Sequence, residues 1–423
     1  MTLAPTTLQL VASVIFATAV AHTFATKAFE HLAHASPNHA GLWHLLGEVE
    51  AVFGFWAMVL LLFLAMLASP TTSIGYLQGN SFTEPAFIFV VMVMAASRPV
   101  LDFAGALIAW VARIVPLPSA TAFYLTILTI GPLLGSFITE PAAMTLTALL
   151  LRERYYSRQA PGRFKYATLG VLFVNVSIGG TLTPYAAPPV LMVAERWGWD
   201  LGFMLQTFGW KAALACIVNA VAAAWLNRAY LRQLPPTPES TSRLETPWPV
   251  VLVHLGFVAA VVAGSHHPEI FIGIFLFFLG FTEAYARYQS PLILREGLMV
   301  GFFLAGLVVL GGMQEWWLRP LLSGMDQTVL YYGATALTAI TDNAALTYLG
   351  SLVDGMSAEA KYALVAGAVT GGGMTVIANA PNPAGFAILK GSFDEGAISP
   401  LWLATAATPP TLVAIGAFQF LPG

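Results

Sequence analysis

ITEPAAMT, from Ile138 to Thr145, and ITDNAALT, from Ile340 to Thr347, share five of eight residues within one chain. On this alignment Glu140 stands opposite Asp342. A second pair follows each copy: KYATLGVLFVNVSIGGTLTPYAAPP from Lys165, and KYALVAGAVTGGGMTVIANAPNP from Lys361. With a small gap, Gly179 and Gly180 align with Gly372 and Gly373, and Pro188 aligns with Pro381. Two matches in the same order, at similar separations, indicate an internal duplication.

Around these motifs, apolar runs near twenty residues recur along the chain, long enough for helices to cross about 30 Å of hydrocarbon. They lie near residues 8–30, 42–67, 84–113, 119–151, 165–195 and 203–231. A Pro/Ser/Thr-rich linker, LPPTPESTSRLETP (residues 234–247), follows. Segments then resume near 248–264, 270–286, 297–318, 326–354, 361–390 and 398–421. Only 9% of the 423 residues are charged, 57% are hydrophobic, and mean hydropathy is +0.75. A soluble domain carries about 25% charged residues. The chain therefore reads as an all-α polytopic membrane protein. Its organisation is a first repeat over residues 1–233, a linker over 234–247 and a second repeat over 248–423.

Several classes are excluded at this point. A formal net charge of −3 gives no electrostatic basis for nucleic-acid binding. The single cysteine, Cys216, rules out an intrachain disulfide and a multi-cysteine metal cage. No Lys or Arg precedes the apolar run at 8–21, so it reads as a membrane helix and not a signal peptide. No HExxH or GxSxG motif is present, which leaves an intramembrane hydrolase without support.

Basic residues set the expected orientation. Arg152, Arg154, Arg158, Arg163 and Lys165 share one stretch with a single acid, Glu153, and the linker region adds Arg228, Arg232 and Arg243. Both stretches are expected to be cytoplasmic. If residues 119–151 form a re-entrant hairpin open to the cytoplasm, five crossings separate it from a second hairpin at 326–354. An odd number makes the second open outward, so the halves become inverted repeats. Ten full spans and two exterior termini follow from the same count.

The chemistry is expected where these segments break. Pro141 follows Glu140, and Gly131, Pro132 and Gly135 lie just upstream. Proline removes a backbone donor and disfavours helix at the residue before it. Irregular backbone at membrane depth is tolerated only where it lines protein or a watery cavity. A carboxylate there, beside Ser136 and Thr139, is a candidate cation ligand or proton carrier, because an intramembrane acid is costly. The alternative is a kinked helix with a snorkelling or protonated Glu140. The second copy offers Thr341, Asp342 and Asn343, whose hydroxyl, carboxylate and amide oxygens suit a hard cation such as Na⁺. Asn343 could equally bond freed backbone. The two Gly/Pro-interrupted stretches supply Thr183 in the first half, and Asn379 and Asn382 in the second. Asn175, just upstream, is either a further ligand or a helix–helix hydrogen bond. Outside these breaks, Glu48 and Glu50 read as a helix end, Arg98 and Asp102 as an i,i+4 pair, and His31, His34, His39 and His44 as a pH-sensitive surface.

With these motifs assembled, the layout resembles the ion transporter superfamily of Na⁺/H⁺ antiporters, arsenite permeases and dicarboxylate carriers, and most of all its Na⁺/H⁺ antiporters. TDNAALTY (Thr341 to Tyr348) is similar to an Asp-Asn-Ala-Pro-Thr hairpin motif of one antiporter group, with Ala345 in place of the proline. The dicarboxylate carriers have Ser-Asn-Thr triplets where this chain has Thr-Glu-Pro and Thr-Asp-Asn. The resemblance covers roughly residues 84–195 and 297–390. It implies inverted repeats with re-entrant hairpins and broken helices, a multi-pass location in the cell inner membrane, and a homodimer. The mechanism expected is alternating-access Na⁺/H⁺ antiport, with Na⁺ and H⁺ competing for the carboxylates of Glu140 and Asp342 and with Na⁺ held at Glu140, Asp342 and Asn343 as the transported or coupling ion. Inorganic cations, protons and membrane lipids are then the partners, with no organic cofactor. The other reading is a Na⁺-coupled transporter of a small anion such as a dicarboxylate, sulfate or arsenite-like ion.

Overall fold

Every regular element in the computed structural model, which describes residues 5–157, 159–236, 245–393 and 396–422, is helical. Residues 237–244 of the expected linker, including Arg243, and also Arg158, lie outside the described residues. Five helices are long and apolar enough to cross a bilayer: Val49–Leu67, Ser119–Ile138, Leu201–Leu226, Leu294–Gly311 and Pro400–Phe420. A sixth span results if Thr83–Ala95 and Arg98–Ile114, bent by 67°, count as one. The chain is thus a multi-pass membrane protein.

Eighteen principal helices carry the description. In the first half they are α1 (Thr7–Thr23), α2 (Val49–Leu67), α3 (Thr83–Ala95), α4 (Arg98–Ile114) and α5 (Ser119–Ile138). They continue with α6 (Glu140–Arg154), α7 (Gly162–Gly179), α8 (Pro188–Trp197) and α9 (Trp210–Leu226). In the second half come α10 (Trp248–Ala263), α11 (Pro268–Ala284), α12 (Leu294–Gly311), α13 (Glu315–Leu322) and α14 (Gln327–Thr338). The last are α15 (Asn343–Ser351), α16 (Ala358–Gly371), α17 (Asn382–Leu389) and α18 (Pro400–Phe420). Ten spans are expected from the sequence; Thr7–Thr23 and Trp248–Ala263 are apolar but shorter than the five long helices, and several other expected segments are divided. Proline supplies the reason at three of the divisions. Pro99, Pro141 and Pro188 each sit in the first turn of the helix that restarts, where a missing N–H is harmless.

The first motif folds α5 and α6 into a closed antiparallel hairpin around Thr139. Gly131 lies against Thr147 and Gly135 against Ala143. Farther out, the Tyr155 hydroxyl donates to the Ala120 carbonyl at 2.6 Å. In the second half, α14 packs mainly on α16, while α15 packs mainly on α8, with lesser contacts to α16, α12 and α13. The packing of the halves is reciprocal. Helix α6 packs on α17 of the other half, as α15 packs on α8. Likewise α2 packs on α12, and α11 on α3. Helices α7 and α16 meet between them, with Ser177 Oγ donating to the Val369 carbonyl at 2.7 Å. Burial of α7 is nearly complete from Thr168 to Gly179, so both broken stretches start from the interior.

Candidate functional site

Thr139 joins α5 to α6 with φ +70° and ψ 150°, and no other described non-glycine residue has positive φ. That region is almost restricted to glycine and costs on the order of 1–3 kcal/mol. Its hydroxyl is buried and makes no hydrogen bond within the described protein. The break therefore ends both helices inside the molecule, and the next residue is the acid. Glu140 begins α6 and is fully buried. Its Oε2 accepts from Asn379 Nδ2 at 2.9 Å, while its Oε1, pressed against Gly180, has no hydrogen-bond partner.

The broken stretch after α7 is bound to the tip of this hairpin. Ser136 Oγ donates to the Gly179 carbonyl at 2.7 Å and accepts from the Leu182 N–H at 2.8 Å. Thr183 Oγ1 donates to the Ser136 carbonyl at 2.5 Å. Ser136 and Thr183 thus use their hydroxyl protons to hold backbone, leaving lone pairs as their only capacity for a cation.

The second half repeats this construction. Thr375 Oγ1 donates to the Ala339 carbonyl at 2.8 Å, as Thr183 does to Ser136. Gly371 lies on the Thr335 backbone, as Gly179 lies on that of Pro132. Gly372 lies on the Asn343 amide, as Gly180 lies on the Glu140 carboxylate. Within the hairpin, and again within the broken stretch, the spacing of these residues is the same in both halves, although 39 positions separate Glu140 from Gly179 and 28 separate Asn343 from Gly371. The matched contacts therefore pair Glu140 with Asn343, one residue away from the pairing by sequence identity, and Gly180 with Gly372 instead of Gly373. The cause is the helix start. Asp342 is the N-cap of α15, its Oδ1 accepting from the Ala345 N–H at 2.9 Å, so α15 begins at Asn343. Thr139 occupies the cap position before α6, so that helix begins on the acid itself.

Asn343 is fully buried, and neither its Oδ1 nor its Nδ2 has a hydrogen-bond partner among the described residues. A buried amide left in this way costs about 1–3 kcal/mol. Asn382 is half satisfied. Its Nδ2 donates to the carbonyls of Gly372 and Thr375, both at 2.8 Å, while its Oδ1 is unpartnered. Thr139, Glu140, Asn343 and Asn382 therefore each present one uncommitted buried oxygen. Asp342 stands on the wall of a cavity between α14 and α15. Beside it, Thr341 is half-buried, and its Oγ1 donates to the Leu337 carbonyl at 2.8 Å.

Asn175 is not brought to this group. Its Nδ2 donates to the Leu128 carbonyl at 2.8 Å and the Cys216 carbonyl at 3.1 Å, and its Oδ1 accepts from Asn219 at 2.8 Å. All of its amide is spent joining α5, α7 and α9. Arg98 and Asp102 do pair, at 3.8 Å, and they also hold the resumed chain through Glu245 and Thr246. Glu48 stands at the N-cap position of α2 with no capping hydrogen bond from its side chain, which pairs instead with Arg295 of α12, and Glu50 lies in the first turn. Of the His cluster, His34 and His44 meet edge to face. No cluster of three or more His, Cys, Asp or Glu residues suited to a metal occurs among the described residues.

Two buried polar groups escaped the sequence reading. Lys211 of α9 is buried and donates to the Tyr362 hydroxyl at 3.0 Å, and a lone lysine inside an apolar run was its available signal. Gln314 is fully buried, with its Oε1 accepting from Ser13 and Trp317. It lies between two helix segments read as one, so nothing in the local sequence marked it.

The family described as "Putative Na+/H+ antiporter" has a model that matches residues 7–421, and the chain belongs to this family. No curated protein matches it.

Proposed function

We propose that the chain is a secondary transporter exchanging Na⁺ for H⁺ by alternating access, with Glu140 as the group for which the two ions compete. One observation carries the reading: Glu140 is a fully buried carboxylate with one oxygen oriented by Asn379 and the other uncommitted. A buried charge in an apolar surrounding must be paired or neutralised. A bound Na⁺ neutralises it directly, and a proton does so by occupying the same oxygen. Carboxylate, amide and hydroxyl oxygens are ligands of the kind that hard cations take. Thr139, Asn343 and Asn382 supply such oxygens, and Ser136 and Thr183 hold the backbone that shapes the break.

The reciprocal packing of the halves supports the two-repeat reading, with residues 1–233 and 248–423 as repeats around the linker. In that reading α5–α6 is a re-entrant hairpin, the basic loop after it is cytoplasmic, and the second hairpin opens outward. The matched contacts make the two half-sites chemically unequal, one centred on an acid and one on a neutral amide. Only the Glu140 half then takes up and releases a proton, and Asn343 contributes neutral oxygen to the cation. Asp342, set to one side, adds a second negative charge to the approach. We place the chain in the cell inner membrane as a homodimer, as its superfamily resemblance implies, with Na⁺ and H⁺ as its substrates and no organic cofactor.

The test is transport in proteoliposomes with Na⁺, K⁺, Ca²⁺ and candidate anions offered against an imposed pH gradient. Na⁺-dependent proton movement without anion uptake is the expected result. Na⁺-dependent accumulation of an anion with no Na⁺/H⁺ exchange would replace this reading with Na⁺-coupled anion transport.

A further inference from the structure

The two helical hairpins differ in a way that their sequences conceal. In the first, α5 and α6 touch along their length, with Gly131 on Thr147 and Gly135 on Ala143. In the second, the arms α14 and α15 stand apart, and a cavity of about 400 Å³ lies between them. Leu330 and Gly333 of α14 and Leu346 of α15 line it, closed on the other side by Phe53, Phe303 and Trp317. Its wall is almost wholly apolar, and Thr23, Thr341 and Asp342 are the polar side chains on it. No Lys or Arg is among the lining residues. The mouth is flanked by Leu337 and Ile340, both about half-exposed.

We infer that this cavity binds an amphipathic organic cation, its charged centre on Asp342 and its apolar body between the arms of the second hairpin. Three physical points select that class. A cavity of this size fits a drug-sized molecule. Its walls favour apolar surface, at roughly 25 cal/mol for each Å² removed from water. An anion there would meet Asp342 with no lining base to offset it, whereas a cation meets a carboxylate and the ring of Trp317. A neutral acyl chain would satisfy the walls and leave Asp342 without a partner charge. The occupied cavity would also hold the second hairpin apart, since its arms cannot close as those of the first do. The inference rests on the Asp342 charge and the cavity, and does not require that the chain exchange Na⁺.

The experiment uses the full chain, purified in detergent, with radiolabelled tetraphenylphosphonium as probe and tetraphenylborate as its near-isosteric anion. Saturable binding of the cation, not displaced by the anion, is expected. Asp342→Asn, which keeps the cap of α15, should weaken binding by about 10-fold or more. Gly333→Phe keeps the charge and fills the cavity, with open space where its Cβ would start, and should abolish binding. A thermal melt of each variant separates loss of the site from loss of the fold. Equal binding of both probes, or cation binding unmoved by both substitutions in folded protein, would overturn the proposal and leave an apolar lipid crevice. Na⁺/H⁺ exchange measured on the same wild-type preparation keeps the two readings apart. Exchange without probe binding removes only the cavity proposal, and probe binding without exchange removes only the antiport reading.

Discussion

Asn379 Nδ2 meets Glu140 Oε2 at 2.9 Å across 239 positions of sequence, joining the broken stretch of the second half to the hairpin of the first. Helix α17, which follows Asn379, packs on α6, which begins at Glu140. The acid and its orienting amide therefore come from opposite halves, and relative movement of these two elements alters the site itself.

Glu140→Gln should abolish Na⁺-dependent proton flux while leaving the protein folded, because the amide keeps volume but exchanges no proton. Asn379→Ala should retain exchange with apparent Na⁺ affinity lowered by about 10-fold, equivalent to the ~1.4 kcal/mol of one charge-assisted hydrogen bond. A pH-sensitive dye inside proteoliposomes, read over a Na⁺ titration, measures both. Full exchange by Glu140→Gln would remove this residue from the mechanism.

Thr139→Gly should raise thermal stability and weaken Na⁺ binding together. Relief of about 1–3 kcal/mol of backbone strain exceeds or offsets the ~0.5–1 kcal/mol entropy cost of glycine, and one uncommitted oxygen is lost. Thermal unfolding in detergent and a Na⁺ titration of flux are the paired readouts. A lower melting temperature would contradict the strained backbone.

Asn175→Ala should act on stability and not on ion affinity. Removing it strands the buried Leu128 carbonyl, which has no helical donor at Pro132, and leaves the Asn219 amide only its 3.3 Å bond to the Pro410 carbonyl, at a cost of about 1–3 kcal/mol for a group left unsatisfied. The expected result is a markedly lower unfolding temperature with an unchanged apparent Na⁺ affinity in the folded fraction. An altered affinity would return Asn175 to the ligand set.

Asp342 separates capping from charge. Asp342→Asn retains a strong N-cap, whereas Asp342→Ala should cost about 0.5–2 kcal/mol of stability. Both remove the negative charge near Glu140, so both should change the pH dependence of exchange in the same direction and to a similar extent. Different pH profiles for the two would tie any effect to the helix start and not to the charge.

Membrane orientation is tested by cysteine labelling after Cys216→Ala. Cysteines introduced at Ser157 and Ser357 should react with an impermeant reagent from opposite sides, Ser157 from the cytoplasm. Labelling of both from one side would contradict the inverted arrangement.

What the sequence determined by itself was the membrane class, the helical composition and the approximate place of the four motif breaks, though not the divisions near Ala96 and Gln314. These depend on local properties: an apolar run long enough to span, and Gly or Pro where a helix cannot continue. The candidate residues at those breaks were legible for the same reason, since an acid such as Glu140 in a long apolar stretch has few structural excuses. Tertiary structure decided the partners. Asn379 and Glu140 are too distant in sequence for any local signal to join them, and Asn175 gave no sign of whether its amide faced a cation or three helices. It also decided the register. Identity of residue type aligned Glu140 with Asp342, but a side chain's position follows from where its helix starts. Asp342 spends its carboxylate on capping α15, which moves Asn343 into the position that Glu140 occupies in the other half. The open second hairpin had no local signature either, because α14 is held mainly by α16 while α15 is held mainly by α8 of the other half.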